Sequence, residues 1–140
     1  MREIKFRGKY LDDTSEWLYG NYVFIQDDIF QHKIADRNGL LLDIDINTLG
    51  QYTGLKDENG KEIYEGDIIE FSYDMFVGNF NTFVAKGKVV FEEGAFYVEV
   101  FENERTTEDE AYLLYSINLD TIEVIGNIYE NKELLNETNR

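Results

Sequence analysis

Gly50-Gln51-Tyr52-Thr53-Gly54-Leu55-Lys56-Asp57-Glu58-Asn59-Gly60-Lys61-Glu62-Ile63-Tyr64-Glu65-Gly66-Asp67-Ile68-Ile69 holds the densest turn chemistry in the chain. Asp57-Glu58-Asn59-Gly60 reads as a tight turn, because Asp and Asn accept local backbone hydrogen bonds and Gly takes the positive φ that a last turn position often needs. Glu65-Gly66-Asp67 reads as a second turn, launching the apolar pair Ile68 and Ile69. The stretch carries no nucleophile and no paired acid and base. It is expected to be a junction, setting the register between strands on either side.

N-terminal to it, residues 3–10 alternate, with Ile4, Phe6 and Tyr10 on one face and Lys5, Arg7 and Lys9 on the other, which is strand periodicity. After the polar break at 11–15, residues 16–25 bring Trp17, Tyr19, Tyr22, Val23, Phe24 and Ile25, residues suited to a pleated sheet. The two segments predict a hairpin. A second is predicted from 29–35 and 40–46 around Asp36-Arg37-Asn38-Gly39, where Asn-Gly signals a type I′ turn. With no proline in the chain, turns fall to Gly, Asn and Asp.

C-terminal to it, 67–77 and 80–91 predict a long hairpin around Gly78-Asn79, with a bulge at Ala85-Lys86-Gly87. Phe91-Glu92-Glu93-Gly94-Ala95-Phe96 predicts the next short hairpin loop, and residues 96–101 continue as strand. The polar run 102–110, where Arg105 alone opposes five carboxylates, predicts a mobile loop. Residues 113–119 and 121–129 read as two more strands, and Asn131 as the cap of a short final helix. The fold class that follows is mainly β: two small β lobes, the C-terminal one an SH3-like barrel, plus a short C-terminal helix. The boundaries are 1–55 for the first lobe, 56–66 for the turn-rich junction, 67–130 for the barrel, and 131–140 for the helix and tail.

Composition supports a folded chain. Aromatics make up 15% of 140 residues, and disordered chains are poor in them. A net charge of −16 argues against direct nucleic-acid binding, which needs a cationic footprint to release phosphate counterions, and against anionic membranes. The first nine residues run the other way, with Arg2, Lys5, Arg7 and Lys9 against Glu3. This basic strand is expected to be charge-complementary to the acidic body of its own fold, or else to that of a neighbouring subunit. The absence of cysteine removes disulfides, thiolate metal sites and thiol catalysis. No apolar run suits a signal peptide or a membrane helix, so a soluble intracellular protein is expected.

Several segments resemble one family when taken in order: Phe6-Arg7-Gly8-Lys9, Trp17-Leu18-Tyr19-Gly20, Gly50 to Asp57, Asn59 to Asp67, and Val124-Ile125-Gly126-Asn127-Ile128-Tyr129-Glu130-Asn131. They resemble the YopX-like proteins of bacteriophages and prophages of Gram-positive bacteria. The resemblance spans nearly the whole chain but leaves out 72–86 and 102–110, and Lys132 stands where a proline would follow Asn131. It implies a small, mostly β phage protein acting in the bacterial cytoplasm. It brings no catalytic residues with it.

The motifs that suggest chemistry each lack a required residue. Asp43-Ile44-Asp45-Ile46-Asn47 opens like a calcium loop, but Thr48 stands at the sixth position and Gly54 at the twelfth, where Gly and a bidentate Glu are needed. The alternation of Leu42, Ile44 and Ile46 with polar residues reads instead as a half-buried strand. His32 is the single histidine, no GxSxG surrounds a serine, and no phosphate-binding loop is present. No catalytic, metal or cofactor-binding residue is assigned.

One feature points outward. Met75, Phe76, Val77, Phe80 and Phe83 crowd the end of the long hairpin, where polar residues are usual. They are either buried against the other lobe or form a subunit or partner contact. The resulting expectation is a non-enzymatic accessory protein that forms a homo-oligomer or binds a host or phage protein. The alternative is an acidic decoy, imitating DNA to occupy a host nucleic-acid-binding protein.

Overall fold

The computed structural model describes residues 2–136, so the expected tail at 137–140 lies outside the described residues. The chain divides into two compact units, Met1–Gly54 and Leu55–Arg140. The class is mainly β, with one short helix near the C-terminus.

In the first unit, β1 (Phe6–Tyr10), β2 (Trp17–Phe24), β3 (His32–Ala35) and β4 (Leu41–Lys56) follow one another as antiparallel neighbours. Because β1 also pairs with β4, the four strands form a closed ring of pairings. β4 continues to Lys56, so residues 50–54, expected as part of a junction, are strand. Its register against β1 jumps from Arg7↔Gly50 to Lys9↔Asp45, so residues 46–49 bulge opposite Gly8. Thr48 holds the bulge, accepting Lys9 N–H at 2.8 Å and donating to Asp45 C=O at 2.6 Å.

The buried apolar side chains of this unit include Ile34, Ile44 and Tyr52. The alternation read over residues 3–10 does not decide the inner face: Ile4, before β1, is exposed, while Arg7 is 5% exposed. The Arg7 guanidinium lies 4.4 Å from the Trp17 ring centroid, with Lys9 Nζ at 5.0 Å from the same ring. The first-strand cations thus rest on aromatic faces, which attract cations through the ring quadrupole. The Asn38-Gly39 turn is also not type I′, because Gly39 has a positive φ (+82°) and Asn38 does not. Asp36 organises it instead, its carboxylate accepting the N–H groups of Asn38 and Leu40 at 2.9 Å.

In the second unit, β5 (Glu62–Tyr64) returns through the Asp57–Lys61 turn. A five-stranded antiparallel sheet follows in the order β10-β6-β7-β8-β9: β6 (Asp67–Val77), β7 (Asn79–Glu92), β8 (Ala95–Asn103), β9 (Glu110–Leu113) and β10 (Glu123–Asn127). Ile63, Ile69, Phe71, Ala85, Val89, Val98, Val100, Leu114 and Ile122 form its core. The expected strand at 113–119 is absent: β9 ends at Leu113, and two 3₁₀ turns cover Leu114–Ser116 and Leu119–Thr121. Asn118 initiates the second turn by accepting Asp120 N–H at 3.0 Å. The expected bulge near Gly87 does lie there, but the extra residue is on β8, since Lys86 faces Glu102 and Gly87 faces Val100. The short helix α1 (Lys132–Asn136) follows Asn131, whose side-chain oxygen accepts Asn127 N–H at 3.0 Å.

Candidate functional site

β6 and β7 are longer than their neighbours. β10 pairs with β6 only from Asp67 to Glu70, and β8 pairs with β7 only from Ala85 onward. From Ser72 to Val84 the two strands therefore continue as a ribbon, in register from Ser72↔Val84 to Val77↔Asn79. Gly78 makes the reversal with φ +76°, a conformation that costs glycine little.

Side chains on a strand alternate, so the register assigns the five apolar residues to two faces. Met75, Val77 and Phe83 share the face of Tyr73, which continues from core residue Phe71. Phe76 and Phe80 are directly opposed on the other face, their rings 5.5 Å apart at 74°. At the tip, exposure is 36% for Met75, 65% for Phe76, 55% for Val77 and 78% for Phe80. Phe83 is half-buried, its ring 5.9 Å from that of Tyr73. The structure thus brings Phe76 and Phe80 together as an exposed pair and places Phe83 at the base of the ribbon.

The base is fixed by a polar network. Tyr73 donates to Asn103 Oδ1 at 2.8 Å, and Arg105 Nε donates to the Tyr73 hydroxyl at 3.0 Å. Arg105 also pairs with Glu110. The Tyr73 hydroxyl and Glu110 hold the Arg105 pKa above its ordinary value. The loop expected to be mobile is thereby tied to β6 and β9 by its one cation. Around it, Glu102, Glu104, Glu108 and Asp109 are exposed. A cavity of about 380 Å³ is lined in part by Glu102, Asn103, Thr106, Glu108 and Asp109.

The remaining candidate groups have structural partners. Asp43 pairs with Lys33, which also meets Asp28 at 3.2 Å. The hydrogen bond to Asp43 holds the Lys33 ammonium above its ordinary pKa, and Lys33 holds the Asp28 carboxyl below its own. His32 Nδ1 meets the Tyr22 hydroxyl at 2.5 Å. Among the described residues, no three His, Asp or Glu side chains come together where they could hold a metal ion. No helix among them is long and apolar enough to cross a membrane.

A second exposed apolar set escaped the sequence reading. Ile29 is 90% exposed, with Phe24, Phe30 and Leu40 also exposed. Ile29 was expected within a strand, but β3 starts at His32, and Ile25 N–H closes the preceding loop onto Gln31 C=O at 2.8 Å. The flanking pair Asp27-Asp28 was the available signal of a loop.

Two antiparallel β units define a mainly β protein in which the β6–β7 ribbon carries an exposed aromatic pair. The chain belongs to the YopX family, whose model, described as YopX protein, matches residues 5–136. It is similar to a solved structure titled crystal structure of protein EF1440 from Enterococcus faecalis, with 26% identity and a TM-score of 0.53 over 96% of this chain and 99% of that one. No curated protein matches it.

Proposed function

We propose that this is a non-enzymatic accessory protein of a phage or prophage, acting in the bacterial cytoplasm through self-association or by binding another protein. The ribbon end is its contact surface. The observation that carries the reading is the Phe76–Phe80 ring pair, set opposite each other by the β6–β7 register yet largely open to water. Exposed aromatics clustered at one point mark interfaces in soluble proteins, where they contribute large contact area at low entropic cost. The second unit is read as an SH3-like barrel, supported by the order β10-β6-β7-β8-β9 and the 3₁₀ turns before the last strand.

The test is a Phe76→Ser/Phe80→Ser double variant. It is expected to keep the wild-type urea midpoint and to lose the assembly that the tagged protein forms in its bacterial host. Unfolding of the variant, or an unchanged assembly, overturns the reading. The acidic decoy is the second reading, favoured by the exposed carboxylates of 102–109 and the charge of −16. It requires a host nucleic-acid-binding protein whose capture is lost as salt rises.

A further inference from the structure

We propose that the ribbon pairs edge to edge with the ribbon of a second copy, β7 against β7 in antiparallel register. The inference rests on the protein-binding role proposed above and names the partner. Beyond the sheet the ribbon has two strands, and two strands alone are marginal in water, while open edges are templates for another chain.

Hydrogen bonding decides which groups are open. Val84 C=O accepts Glu104 N–H at 3.0 Å, so the backbone of Val84 points away from β6. In an antiparallel pair that orientation recurs at alternate residues. Thr82 and Phe80 therefore present N–H and C=O on the outer β7 edge. The 2.5 Å bond from the Thr82 hydroxyl to Asp74 fits this, since residues opposed at a non-hydrogen-bonded position have the closer side chains.

Charge decides between the edges. On the β6 edge, Ser72 C=O is already engaged by the Thr121 hydroxyl at 3.2 Å, and Asp74 follows in mid-strand. Two copies joined there would bring Asp74 close to Asp74, a like-charge contact that destabilises a sheet. From Asn79 to Phe83 the β7 edge has no charged residue.

Charge also selects the partner. A basic protein would be drawn to a chain of −16, but these residues offer it no carboxylate. An uncharged edge between apolar faces is matched by another edge of the same kind, and a two-fold contact is self-complementary by construction. Centred on Asn81, the pairing sets Phe80 opposite Thr82 of the second copy, so the outward groups of both residues exchange hydrogen bonds. The Phe76–Phe80 pairs of the two copies then become diagonal neighbours on one face.

Sedimentation velocity of the full chain from about 1 µM to about 1 mM tests this. Wild type is expected to form a concentration-dependent dimer. Thr82→Pro, which removes one outward N–H together with the hydroxyl bond to Asp74 and leaves the backbone bonds to β6 in place, is expected to weaken it at least about tenfold, whereas Thr82→Val, which removes the hydroxyl bond alone, is expected to leave the dimer intact. Asp74→Pro, the same operation on the β6 edge, is expected to leave the dimer intact. A monomer throughout overturns the pairing, and so does a dimer that resists Thr82→Pro or yields to Asp74→Pro. Loss of a different partner by the Phe76→Ser/Phe80→Ser variant would, by contrast, keep the ribbon's binding role while overturning self-pairing.

Discussion

The Asp57 carboxylate accepts the backbone N–H of Val124 at 2.9 Å across 67 positions of sequence. Its other oxygen accepts the N–H groups of Asn59 and Lys61, each at 2.9 Å, so one buried side chain organises a local turn and fixes the start of β10. A buried donor left without its acceptor costs far more than an average hydrogen bond contributes.

Asp57→Ala is therefore expected to destabilise the second unit by about 2–3 kcal/mol, with Asp57→Asn in between because one acceptor is kept. Urea denaturation followed by far-UV CD measures it. A change within about 0.5 kcal/mol would show that the turn holds without the carboxylate.

Gly20, with a φ of +157°, meets a steric and a conformational demand together, whereas Gly39 meets the conformational one alone. A Cβ on Gly20 would sit 2.0 Å from Ala35 C=O, a backbone atom that cannot move without breaking the β2–β3 pairing. Gly39 has open space around its Cβ position but a φ of +82°. Gly20→Ala is expected to cost at least about 2 kcal/mol, and Gly39→Ala about 1–2 kcal/mol from backbone strain alone. Equal costs in urea titrations would contradict this division.

Lys33 and Asp28 set a pH window for the first unit. Because Asp28 titrates below its ordinary value of 3.8 when folded, its contribution is present above that value and is lost as pH falls through the lowered folded value. Lys33 titrates above 10.5 when folded, so its contribution is present below 10.5 and is lost as pH rises through the raised value. Lys33→Met is expected to flatten both limbs of the stability–pH profile. An unaltered acid limb would remove Lys33 as the cause.

Arg105 ties the 104–109 loop to Tyr73 and Glu110. Arg105→Lys cannot reproduce a guanidinium that reaches two acceptors at once. Faster amide exchange is expected across 104–109, with protection unchanged in the core strand β7. Exchange that stays slow in the loop would assign its order to the backbone instead.

Salt should distinguish the two functional readings. Screening weakens repulsion between like-charged copies, so a homodimer is expected to tighten as salt rises from about 0.1 M to about 0.5 M. A decoy contact with a cationic protein should weaken over the same range. Sedimentation and capture measured in parallel at both salts read the two directions.

The sequence by itself determined the β class, the hairpin order and the reversals at Asp57–Gly60, Gly78 and Gly94, because turn chemistry and two-residue periodicity act over a few neighbouring residues. It located the aromatic tip for the same reason: five large apolar side chains within nine positions need no fold to be noticed. Only the tertiary structure decided that Arg7 is buried beside Trp17 while Ile4 is exposed, since the partner that shields a cation comes from another strand. The same holds for Asp57 and Val124, whose bond no local pattern announces. It also divided the tip into an exposed Phe76–Phe80 pair and a half-buried Phe83, because strand register sets the face and the length of the neighbouring strands sets the exposure.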